Sequence, residues 1–258
     1  MKIALFLDVD MTLTKDYVQS YYAAELGCKP DYEKLEKDLN AKRITSAEFG
    51  KRIITLFASK NLTKAQAKQI ATRVELRDWA KPLLGSKKTD IYLVSSGPSY
   101  YIDELTREYG IPEERALCSR YGFSDDNGVI VSCDAVDAQQ KQSFVMDHAG
   151  AYDITIGVGD HPISDGPFVG ACTIPLLLEP YAGFLHVDNF SSVTLLIDKL
   201  LKAGPSVASV TTDILKNMNL SQISKAFTLG VWTTFLSALL GAGAIGAAIA
   251  RYLPSLFK

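Results

Sequence analysis

Two aspartates, Asp8 and Asp10, stand two positions apart directly behind the apolar run Ile3-Ala4-Leu5-Phe6-Leu7. In extended chain their side chains point to one side, because side-chain direction repeats every second residue. Two like charges so close are costly unless a cation or a shared proton relieves them. The pair is therefore a candidate for metal binding or proton chemistry; a helix cap or an acidic surface turn is the bland alternative. Two later segments share the arrangement of polar residues behind an apolar run. Ser95 and Ser96 follow Ile91-Tyr92-Leu93-Val94, and Asp160 and Asp165 follow Ile154-Thr155-Ile156-Gly157-Val158. A serine before a helix N-terminus can hold an oxyanion with its hydroxyl and nearby backbone N–H groups, though most such serines are simple N-caps. Lys141 lies in a helical stretch, where a lone lysine is ordinarily a solvated surface charge.

The elements that must position these residues follow from the hydrophobic pattern. The run 3–7 is short and wholly apolar, as expected for a strand buried on both faces of a parallel sheet. Ligands of open α/β sheets sit at the carboxyl ends of such strands. From Thr14 to about Ala80 the pattern is helical. Asp16 can cap a helix through Tyr17, Tyr21, Tyr22 and Leu26, stopped by Gly27, and a charged helix covers Tyr32 to Leu39. Thr45-Ser46-Ala47-Glu48 and Thr63-Lys64-Ala65-Gln66 are capping boxes, the first followed by an apolar face of Phe49, Ile53, Leu56 and Phe57. This helical block sits where a cap over the site would sit. The α/β pattern then resumes. Strands are expected at 91–94, 154–158 and 172–178, a helix from Pro98 to Gly110, a hairpin at 121–132, and helices at 138–149 and 193–201.

The chain has 258 residues, 47% hydrophobic, with a formal net charge of -2. That suits one or two domains with a sizeable core and argues against nucleic acid as a partner. Cys28, Cys118, Cys133 and Cys172 are scattered, as reduced thiols would be, and Asp8 and Asp10 interrupt the first apolar run too early for a signal peptide. His148, His161 and His186 show no ligand spacing.

The ordered set of aspartates, serine, lysine and Gly-Asp resembles the four motifs of the haloacid dehalogenase-like hydrolases. Asp8-Val9-Asp10-Met11-Thr12 is similar to DxDxT, Ser95 to the family's Ser/Thr, Lys141 to its Lys, and Gly159-Asp160 through Asp165 to GDxxxxD. Leu93-Val94-Ser95-Ser96-Gly97 resembles the VSGG of the phosphoserine-phosphatase-like branch. Lys51-Arg52-Ile53 resembles the segment holding that branch's substrate arginine. Met11, Ser96, the His161-Pro162 segment and Tyr17, where the branch has a cap glutamate, depart from it. The resemblance implies a Rossmann-like parallel sheet as core (1–14 and 81–203) and a helical type-one cap (15–80). It implies Mg2+ held by Asp8, the Asp10 carbonyl and Asp160, with Asp8 as nucleophile and Asp10 as acid and base. Thr12, Ser95, Ser96 and Lys141 would bind phosphate, Arg52 the rest of the substrate, and Asp165 would orient a metal water or Lys141.

Residues 226–250 contain no charge and are long enough to cross the ~30 Å core of a bilayer. They are expected as a membrane helix, with 204–225 as tether and the catalytic domain in the cytoplasm; a soluble cytoplasmic chain is the alternative. The expected activity is phosphomonoester hydrolysis, on a phosphoserine-like metabolite or a membrane-associated, lipid-linked phosphate. Phosphotransfer from the same site, or a catalytically silent membrane adaptor, are the alternatives.

Overall fold

The computed structural model describes residues 2–125, 128–181 and 184–186. The expected tether, the membrane helix, the 193–201 helix and the tip of the hairpin turn lie outside them. Among the described residues no helix is long and apolar enough to cross a membrane.

The first strand, β1 (Ile3–Leu7), is buried along its whole length. Helices α1 (Val18–Glu25), α2 (Lys29–Asn40), α3 (Ser46–Ser59) and α4 (Lys64–Ala71) follow, and α5 (Ala80–Leu84) leads back to β2 (Asp90–Pro98). Then come α6 (Ser99–Tyr109), β3 (Ala116–Phe123), β4 (Ile130–Asp134), α7 (Ala138–Ala149), β5 (Ile154–Gly159), α8 (Gly166–Gly170), β6 (Ile174–Leu177) and β7 (Leu185–His186). The strands form one sheet in the order β4-β3-β2-β1-β5-β6-β7, parallel except for β4.

The order reverses at β1, which runs between β2 and β5. Such a switch point opens a crevice at the carboxyl ends of the strands. Register fixes what meets there. Leu7 aligns with Leu93 on one side and Val158 on the other, so Asp8, Ser95 and Asp160 emerge at one level. Alternation along β1 sends Leu5 and Leu7 to the larger core, beneath the cap and α6, and Ala4 and Phe6 to a smaller one beneath α7 and α8. Phe6 stacks on Tyr92 with ring centroids 4.5 Å apart.

Both expected capping boxes are present, and a third, Asp137 with Gln140, starts α7. Asp16 does not cap α1; Tyr17 holds the cap position, and the Asp16 carboxylate accepts from the Tyr17 N–H at 2.8 Å. Pro98 ends β2 and caps α6 rather than lying inside it. The expected hairpin is longer on its first arm, because β3 begins at Ala116 and pairs with β2 before it meets β4.

The helical insertion is pinned at two places. Its outgoing and returning chains pair at Thr14 and Leu76, and Arg77 donates to the Met11 and Thr14 carbonyls at 2.9 and 3.2 Å. On the far side Thr63 bridges Val129, and the Lys64 N–H donates to the Gly128 carbonyl at 2.7 Å. Between them α3 lies on β4 through Gly50, where a Cβ would come within 3.6 Å of the Cys133 Sγ of β4 and 3.2 Å of the Ala135 Cβ just after it. The block thus arches from the end of β1 to the β3–β4 hairpin, over the switch point.

Candidate active site

Asp8 directly follows β1, and its N–H donates to the Val158 carbonyl at 2.8 Å, which ties the turn behind β1 to β5. Met11 then adopts φ +60°, a conformation that costs a non-glycine residue about 1 kcal/mol and turns the chain away from the sheet. The Met11 carbonyl is braced by Arg77.

Lys141 contradicts the residue-level expectation of a solvated lysine. It projects from α7 with 2% exposure, and its Nζ donates to Asp8 Oδ1 at 2.8 Å and Asp165 Oδ1 at 2.9 Å. Burial alone would lower its pKa, but Asp165 and Asp8 more than reverse that and hold it charged. Asp165 is fully engaged: its Oδ2 accepts from the backbone N–H groups of Asp160 and His161 at 3.2 and 3.0 Å. It therefore holds Lys141 and the 160–161 turn in place.

The cap reaches into the same cluster. The first N–H of α1, on Val18, donates to Asp10 Oδ1 at 2.6 Å, while Ser95 Oγ donates to Asp10 Oδ2 at 3.4 Å. Gly97 leaves room for this carboxylate, because a Cβ there would collide with Asp10 Oδ2. Thr12 and Ser95, both expected at the phosphate, are fully buried, and their hydroxyls are turned to Asp160 (3.4 Å) and Asp10. In a desolvated site a hydroxyl donates to the nearest carboxylate, so in this structure both brace carboxylates rather than face the cavity. Ser96 does line the cavity.

One carboxylate oxygen from each of Asp8, Asp160 and Asp165 lies within 4.8 Å of the others. Four buried or half-buried aspartates, including Asp10, face one ammonium. Burial raises Asp8 to about 7, with Asp165 adding and Lys141 opposing. Burial raises Asp10 to about 6, against the Val18 backbone bond. Burial, then the charges of Asp8 and Asp165, raise Asp160 to about 9. Asp8, Asp10 and Asp160 thus resist ionisation as they stand, and a hard divalent cation fits the hard oxygen donors Asp8 and Asp160.

These shifts carry a sign. A carboxyl whose folded pKa lies above its ordinary value of 3.8 binds more protons folded than unfolded. Its contribution to stability is complete at low pH and is lost as pH rises through the folded value. Metal-free protein is therefore expected to melt at progressively lower temperature from about pH 4 to about pH 9, and Mg2+ to flatten that slope. Thermal melts across pH in chelator and in Mg2+ check this; parallel curves would count against a cation at these carboxylates.

A cavity of about 420 Å³ opens from the aspartates to the underside of the cap. Tyr17, Tyr32, Glu36, Phe49 and Ile53 face it from the insertion, and Gln19 meets Tyr121 of β3 across it at 3.1 Å. Arg52 does not face it. The cavity side of α3 is Ser46, Phe49, Gly50 and Ile53, at helical spacing, and Arg52 sits a third of a turn away in solvent. Replacing Arg52 with Ala is accordingly expected to change KM less than about twofold in steady-state kinetics, where a substrate-binding arginine would raise it at least about tenfold. Glu36 and Tyr32 were not singled out by sequence; only the helical period of α2 carries a trace of them.

No protein-family model matches the sequence, and no curated protein does. Solved structures do. A HAD family hydrolase from Salmonella enterica serovar Typhi superposes with a TM-score of 0.59 at 19% identity, covering 68% of this chain and 62% of that one. A phosphoserine phosphatase, solved as a phospho-aspartyl intermediate analogue, gives 0.57 at 18% identity over 68% and 85% of the two chains. A probable phosphoserine phosphatase from Vibrio cholerae gives 0.52 at 17% identity, over 68% and 56%. The chain thus spans less than two thirds of the Salmonella and Vibrio proteins. Its described part is built on the fold of the HAD-family hydrolases and phosphoserine phosphatases.

Proposed function

We propose that this chain is a Mg2+-dependent phosphomonoester hydrolase that carries the phosphoryl group on Asp8. The observation that carries this reading is the buried Lys141 ammonium, which joins Asp8 to Asp165 beside Asp160 at the sheet's switch point. A structural salt bridge would not need two further carboxylates, Asp10 and Asp160, aimed at the same cavity.

Asp8, Asp160 and the Asp10 backbone carbonyl would hold Mg2+, which when bound neutralises phosphate charge that would otherwise repel the attacking carboxylate. Lys141 engages Oδ1 of Asp8, so attack on phosphorus falls to the second oxygen. An aspartyl oxygen–phosphorus bond forms and the ester oxygen–phosphorus bond breaks. Asp10, raised towards neutrality, gives its proton to the departing alkoxide. It then takes a proton from the water that attacks the phosphoaspartate, which releases phosphate and restores Asp8. The α1 N–H on Asp10 Oδ1 fixes which oxygen carries the proton, so cap and proton transfer are linked. Lys141 and Ser96 both line the cavity and would meet the charge that collects on the transferring group. The test is p-nitrophenyl phosphate turnover with Mg2+ and with chelator. Turnover that needs Mg2+ is expected; metal-independent or absent turnover would overturn the reading.

A further inference from the structure

The cavity above the aspartates is walled mainly by apolar side chains. Leu39 and Ile44 approach from the end of α2 and the turn after it, Phe49 and Ile53 from α3, and Val136 and Ile163 from the core. Ile44 and Ile53 are buried, whereas Ile163 is 49% exposed although large and apolar, so an occupant could still cover it. The charged groups of the cap that face the cavity are Glu36 and Lys42, and Lys42 is solvent-exposed. Phosphoserine would bring a carboxylate and an ammonium to within a few bonds of the reacting oxygen. That carboxylate would enter beside Asp10 and Glu36 while Arg52 faces away from it. A buried anion without a partner costs more than the pocket could return, whereas an alkyl chain loses only its contact with water.

We propose that the organic part of the substrate is an extended, mainly apolar alcohol, and that phosphoserine is a poor substrate. The inference deepens the phosphatase reading and rests on it for the reaction, though not for the binding. Apolar pockets discriminate by size, each buried methylene adding about fourfold in affinity while the cavity has room.

The experiment uses the full chain with Mg2+ and compares ethyl, butyl and hexyl phosphate with phosphoserine. In parallel, calorimetry measures binding of ethyl-, butyl- and hexylphosphonate, which cannot be hydrolysed. Hexyl is expected to exceed ethyl by about 200-fold in both series, with phosphoserine near or below ethyl phosphate. Phe49→Ser should reduce the hexyl-to-ethyl ratio by about tenfold or more, with circular dichroism confirming the fold; should that variant not fold, the wild-type series alone decides. A flat series, or phosphoserine ahead of hexyl phosphate, overturns the proposal. Phosphonate affinity that climbs with chain length while no ester is turned over would sustain it and sink the hydrolase reading instead. Turnover with flat affinity would do the reverse.

Discussion

Asp8→Asn is expected to lower kcat on p-nitrophenyl phosphate by at least about 10^4-fold while leaving the fold intact. The amide has the shape of the carboxylate but cannot form the acyl phosphate, and loss of a nucleophile removes the whole covalent route. Stability should hardly change. Asp8 is buried and its pKa is raised to about 7, so the folded chain already tolerates a neutral group there. Lys141 keeps Asp165 as partner. The melting temperature of the variant should fall within about 3 °C of the parent, since 1 kcal/mol moves a domain of this size by only a few degrees. Kinetics and circular dichroism on one preparation separate the two effects. Residual turnover above about one per cent would place the nucleophile elsewhere.

Lys141→Met should have the opposite signature, losing activity and stability together. Methionine fills nearly the same volume, so the change is chiefly the removal of charge. Asp8 and Asp165 would then lie buried without their ammonium, and breaking such a pair by deleting one partner costs about 3–5 kcal/mol. That corresponds to a drop in melting temperature of about 10 °C at neutral pH. The deficit should shrink towards pH 4, where protonation discharges the orphaned carboxylates, and on adding Mg2+, which supplies positive charge in place of the ammonium. Turnover should fall by about 10^2- to 10^3-fold, because a fixed charge facing the transferring phosphoryl group is gone. A variant as stable as the parent at pH 7 would mean that Lys141 is not the counter-ion the geometry indicates.

How much of this was legible in the sequence differs from residue to residue. The apolar run 3–7, with its aspartates, encoded a buried central strand and the end that carries the candidate site, because a strand covered on both faces tolerates no alternation. The capping boxes at Thr45 and Thr63 were legible because they are local: the bonds that satisfy the helix ends lie within four residues. What escaped depends on contacts distant along the chain. The order of the motifs already put Lys141 in the site, but its burial needs Asp8, 133 positions away, and no property of α7 alone marks that burial. The outward rotation of Arg52 was in principle visible, since Phe49 and Ile53 already defined the inward side of α3 and Arg52 lies off it. The early start of β3 was hidden because its polar Ser119 and Arg120 pair with neighbours that only the assembled fold provides, the Ser96 carbonyl of β2 and Asp103 of α6. Ser95 and Thr12 were identified as polar groups of the site, but which way a hydroxyl turns depends on the carboxylates that surround it.

The most direct measurement is an acid-quenched single turnover with substrate labelled in its phosphoryl group, followed by peptide mapping. The account predicts transient label on the peptide that contains Asp8, released by hydroxylamine and absent from Asp8→Asn. Label on any other residue, or direct release of phosphate with no labelled peptide in an active enzyme, would contradict it.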